Sequence, residues 1–171
     1  LTVRVKETSA VPPLPSADRA MFLADPPVVV LDAGIRLFKF TGWDLFPPTG
    51  PSPWWALRDP EPSLGAPGFT ELVLAAERQG VPLATFARRL FAVAHRWNPL
   101  GHVQSGLTRV QFVRLLRPVL ACHGVCAPVD ERRAVAADRR PDHRFAGGAH
   151  QVRLLDQGPG DWIGDGVAMF G

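Results

Sequence analysis

The sequence predicts an α+β domain: a split, mostly antiparallel β-sheet with a central helical segment packed against it. Three observations lead there. Short apolar or alternating runs of strand length occur at 28–31, 35–41, 151–155 and 167–170. Helical periodicity is confined to the middle of the chain, between about 71 and 116. The resulting order of strands, then helices, then strands favours segregated layers over alternating βαβ units.

Composition bounds the rest. With 171 residues, 46% hydrophobic and 20% charged, the chain is long enough to bury a real core. The division expected is a proline-rich leader over 1–25, with one short helix, and a single α+β domain over 26–171. All but two of the 19 basic residues are arginine, the exceptions being Lys6 and Lys39. With 18 prolines and no tyrosine, that bias fits GC-rich coding, so it says little about function. A net charge of +3 is mild and does not point to nucleic acid as a partner. No apolar run reaches the roughly 18 residues of a membrane span. Residues 1–15 also lack the apolar core of a secretory signal. A soluble protein with no membrane partner is therefore expected, and a start at Leu1 suits a domain of a larger delivered protein.

Taken in order, 9–15 holds three prolines and reads as extended linker. Ser16 is placed to cap a helix that stops before Pro26. Val28-Val29-Val30-Leu31 is continuously apolar, as in a strand buried on both faces. Asp32-Ala33-Gly34 reads as a turn into a second strand over 35–41. Prolines then break the chain as far as Trp54-Trp55, a third strand over 54–56. Thr70 is the expected cap of a helix over 71–79 closed by Gly80. A longer helix is expected over 82–97, where Leu83, Phe86, Leu90, Val93 and Trp97 form one apolar stripe. A third helix is expected over 109–116, capped by Thr108, with 119–121 as a last turn or a strand. The polar stretch 126–144 reads as a surface loop, and strands over 151–155 and 167–170 complete the sheet.

Strand alternation puts Arg36, Phe38 and Phe40 on one face, and Ile35, Leu37, Lys39 and Thr41 on the other. A guanidinium beside two phenylalanines needs a partner or a ligand. Either it binds a phosphate bidentately, or it leans out to Asp32 or another surface carboxylate. Trp54 and Trp55 offer a flat apolar wall for a base ring, or fill the core. Cys122-His123-Gly124-Val125-Cys126 holds zinc-ligand types, but three residues separate the cysteines and there is no second pair. Two buried thiols or a local disulfide are expected instead, and no metal. Arg88, Arg89 and Arg96, with Arg109, Arg114 and Arg117, make either a solvated helical face or a basic patch.

The phrase Gly34-Ile35-Arg36-Leu37-Phe38-Lys39-Phe40 resembles the first strand of the ADP-ribosyltransferase-like fold, written roughly G-x-R-L-Y-R, whose arginine grips NAD. Ser52-Pro53-Trp54-Trp55 is similar to that family's second element, a Ser/Thr before an aromatic residue. His150-Gln151-Val152-Arg153-Leu154-Leu155 is similar to its late strand, with glutamine where transferases carry glutamate. The resemblance implies an NAD-dependent ADP-ribosyltransferase or NAD-hydrolysing domain of a bacterial effector or toxin, with NAD as substrate and a possible protein target. It implies that Arg36 holds the NAD phosphates or ribose and Ser52 braces the site. Trp54 or Trp55 would flank the nicotinamide, and Gln151 would replace the catalytic acid with help from His150. Two other readings stand beside it: a non-catalytic protein-interaction module with tryptophan and arginine hot spots, and an arginine-rich nucleic-acid-binding domain.

Overall fold

Within residues 28–41 and again within 108–125, two consecutive strands turn a corner instead of pairing with each other, and each takes its partners from elsewhere in the sheet. The computed structural model describes residues 3–5, 14–41, 53–91, 108–130, 144–145, 147–155, 163–164 and 167–170. The strands are β1 (Val3–Val5), β2 (Val28–Leu31), β3 (Arg36–Thr41), β4 (Trp54–Leu57), β5 (Thr108–Leu115), β6 (Val119–Val125), β7 (Val129–Asp130), β8 (Arg144–Phe145), β9 (His150–Leu154), β10 (Ile163–Gly164) and β11 (Val167–Phe170). The helices are α1 (Ser16–Arg19), α2 (Phe69–Gln79) and α3 (Leu83–Phe91). The main sheet runs β1-β2-β6-β9-β4-β3-β5-β10, with β11 also on β5, and β7 and β8 form a separate ribbon. Its ladders are antiparallel, so the α+β architecture with an antiparallel sheet holds.

β4 is the hinge of the split. Trp54 and Trp55 pair with Arg153 and Val152 of β9, whereas Ala56 and Leu57 pair with Phe38 and Leu37 of β3. The two halves meet again where β2 turns into β3 and β5 into β6. There Gly34 N donates to Leu115 O and Leu115 N donates to Ile35 O. Gly34 has φ of +89°, a conformation that a side chain would strain.

Alternation along the strands then fills three cores. The inner face of the curled sheet gathers Leu31, Ile35, Leu37, Trp55, Leu57, Val113, Leu115, Val119, Val152 and Leu154. The outer face of β3 and β5 lies under α2 and α3, where Phe38, Phe40, Phe69 and Phe91 meet as edge-to-face or tilted rings. The outer face of β6 and β9 is covered by Leu14 and Phe22 from the N-terminal segment.

Several expectations are corrected. Residues 109–116 are not a helix: Thr108–Leu115 is the strand between β3 and β10/β11. Val113 and Leu115 face the inner core while Val110 and Phe112 face the helices, so both faces are buried and the period is two. Thr70 and Ser16 do not cap their helices. Gly68 is the N-cap of α2, where Glu71 Oε2 accepts its backbone N–H at 3.1 Å. A Cβ at Gly68 would sit 2.7 Å from Arg58 O, so the close approach of β4 excludes a larger cap. Pro15 precedes α1, which is a single turn. Within the leader, β1 pairs with β2 and Leu14 and Phe22 are buried, while residues 6–13 lie outside the described residues. α3 is described as far as Phe91, and the rest of the helix expected over 82–97 lies outside the described residues. No described helix is long and apolar enough to cross a membrane.

Candidate functional site

The three sequence pieces expected to carry function fall on adjacent strands, β9-β4-β3. Their side chains, however, divide between the two faces of the sheet. On the outer face each predicted residue already has a partner. Arg36 donates from Nε to Asp59 Oδ2 at 2.8 Å and from Nη2 to Asp59 Oδ1, a bidentate pair with the arginine side chain 47% exposed. That hydrogen bond and charge raise the Arg36 pKa and hold the Asp59 carboxyl below its ordinary value. The carboxylate partner is therefore Asp59, not Asp32.

Trp54 lies 5.5 Å, ring to ring, from Phe22, under the N-terminal segment. Gln151 is buried and spends its amide on Met21 O at 3.1 Å. Arg36 begins β3 and Trp54 begins the antiparallel β4, so they sit at opposite ends of the strand pair. Arg36, Trp54 and Gln151 thus do not converge on one ligand, and Gln151 is not placed to stand in for a catalytic acid. Ser52 lies outside the described residues.

The inner face is different. Register puts Gln111 opposite Lys39, Trp55 opposite Val152, and Val152 opposite His123. Lys39 Nζ bridges the row by sitting 4.3 Å from the centroid of the Trp55 ring. His150, from the next position along β9 on that face, stacks on His123 with ring centroids 5.2 Å apart and planes at 20°. Its Nδ1 is 3.2 Å from His123 Nε2. One transverse band therefore carries an amide, an amine, an indole and two imidazoles beside an otherwise aliphatic core. Gln111, Trp55 and His123 are buried, and Lys39 and His150 are half-buried.

Desolvation sets the charge states here. Burial pushes the Lys39 amine down to about 8, since a charged ammonium is costly away from water. Burial, then the neighbouring His150, lowers His123 to about 4, and burial lowers His150 as well. At neutral pH the band holds one cation over an indole and two neutral imidazoles. That combination can receive an anionic group and accept a proton.

His150 and Trp55 are candidate residues in the sequence, and His123 is one only as a zinc ligand, whereas Lys39 and Gln111 are not singled out for the site. For Lys39 the signal was present, because it shares strand parity with Ile35 and Leu37, where an apolar residue is expected. For Gln111 the expected helix over 109–116 conceals the pairing with Lys39.

Cys122 and Cys126 are both buried free thiols, and burial pushes Cys126 up to about 12. Cys122 packs on the outer face with Leu14 and Phe22 while His123 points to the inner face. Neighbours on a strand face opposite ways, so Cys122 and His123 cannot share an ion. Among the described residues no group of three metal-ligand types comes together. Arg88, expected on a solvated face of its helix, is buried. Comparison with family models, curated proteins and solved structures returns no match.

Proposed function

We propose that the chain is an NAD-using ADP-ribosyltransferase-like domain whose dinucleotide lies on the inner face of the sheet, along the Lys39–Trp55–His150 band. One observation carries the reading. The three segments similar to that family's motif strands are neighbours, and their inner side chains supply a cation, a flat ring and a base in that order. In this reading Lys39 neutralises the pyrophosphate. An ammonium held in a poorly hydrated site interacts more strongly with phosphate than one in water. Trp55, buried beneath the cation, holds Lys39 in place at the edge of the core.

Transfer or hydrolysis breaks the bond between C1 of the ribose and the nicotinamide nitrogen. The electron pair leaves with nicotinamide, and an acceptor hydroxyl or water forms the new bond to C1. His150, kept neutral by burial, takes the proton from that hydroxyl. This assignment moves the arginine's expected task to Lys39 and the glutamine's to His150.

The test is NAD binding followed by calorimetry, together with nicotinamide release. His150→Ala is expected to keep NAD affinity within about threefold while nicotinamide release falls about 100-fold, in the range for loss of a general base. Release that survives in His150→Ala would remove His150 from the chemistry, and wild-type protein that binds no NAD would overturn the whole reading.

A further inference from the structure

The geometry points to a second, phosphate-binding site on the outer face of the sheet, formed by Arg36, Arg58 and Arg114. It is separate from the inner band and does not depend on the function proposed there. Arg36 faces Arg114 directly across the β3–β5 ladder. Arg58 follows β4, and its backbone N–H donates to Arg36 O, which brings it alongside on the third strand. Its guanidinium then reaches across β3 and lies 4.3 Å from the centroid of Phe112 on β5, two residues from Arg114. Three arginines, from β3, β5 and the end of β4, thus meet on one cross-strand row.

Like charges directly opposite one another in a ladder destabilise it. Asp59 answers one of the three, locking Arg36 by its bidentate contact, and also lies close enough to Arg58 to feel its charge. The row keeps a net charge of about +2 on a water-facing edge, where Arg36 and Arg114 are exposed. Phe112 fixes the Arg58 plane and is itself held 5.1 Å from Phe69, the first residue of α2. The Arg36 and Arg58 guanidinium planes are therefore held in place before any ligand arrives, which favours bidentate phosphate recognition. The ligand chemistry is a dianionic phosphate group, either free phosphate or the terminal phosphate of a small molecule.

The experiment titrates the full chain with inorganic phosphate and with pyrophosphate at low ionic strength, followed by 31P NMR and calorimetry. Saturable one-site binding is expected. Arg58→Ala and Arg114→Ala should each weaken it about tenfold, while Asp59→Asn, which removes the competing carboxylate, should tighten it about threefold. Tighter pyrophosphate than phosphate would identify a polyphosphate tail, and equal affinity a lone phosphate; both support the site. Absence of saturable binding, or unchanged affinity in Arg58→Ala and Arg114→Ala variants shown to be folded by circular dichroism, overturns it. NAD titrated into the same wild-type protein reports on the inner band, so failure here and failure of the inner-face reading are told apart.

Discussion

The two cations of β3 make an instructive contrast. Arg36 and Lys39 lie three residues apart on one strand and face opposite sides of the sheet. Arg36 reaches water and shares its charge with Asp59 on the same surface, while its guanidinium stays accessible. Lys39 is drawn over an indole in a largely desolvated position, and its amine is made easier to deprotonate. A lone strand arginine that resembles a motif is thus weak evidence for NAD once a carboxylate is in reach. A lysine among aliphatic side chains is stronger evidence, because the fold bears a cost to keep it there.

Stability measurements should sharpen that contrast. The largest effect is expected from neither cation but from the wall between them. Phe38 is buried against Phe40, Phe69 and Phe91, and Phe38→Ala should lose about 4 kcal/mol in denaturant unfolding.

Lys39→Met comes next, with the opposite sign. The folded amine titrates near 8 and the unfolded one near 10.5. The unfolded chain therefore binds more protons between those values, and wild-type stability should rise with pH through that window. Below it the full penalty is present. Set against a lost cation–π contact of about 1 kcal/mol, the variant should gain about 2 kcal/mol at neutral pH. It should also lose the alkaline slope. An unchanged slope would place the ammonium in water.

The imidazole pair gives a third signal of similar size. Folded His123 titrates near 4 against an ordinary 6.5. The unfolded chain again binds more protons between the two, so stability should fall as pH drops through that range. Allowing for solvent screening around the half-buried His150, the loss should be about 2 kcal/mol. His123→Phe should remove most of it in acid titrations followed by circular dichroism. Arg36→Ala should change least, by under about 1 kcal/mol, because the Arg36–Asp59 pair is water-exposed.

How much of this was legible in the sequence follows from the same physics. Runs such as Val28–Leu31 and Val167–Phe170 announce strands because local composition decides them. Thr108–Leu115 reads as a helix in the sequence because a strand buried on both faces lacks clean alternation, and its Thr, Arg and Gln mimic a capped helix. The partners of Arg36 and Gln151 could not be read at all. Asp59 is 23 residues from Arg36, and Met21 is 130 from Gln151, so only the fold brings them together. What could have been read was parity. The pattern Ile35, Leu37, Lys39 already put the lysine on a core-facing side.

The most direct test of the account is NAD titration by tryptophan fluorescence with the two cations exchanged in role. Wild type and Arg36→Ala should quench alike, since Trp55 lies under Lys39 and away from Arg36, while Lys39→Met should bind at least about tenfold more weakly, the loss of one charge-assisted contact. Quenching that disappears in Arg36→Ala and persists in Lys39→Met would contradict the account and return the site to the outer face.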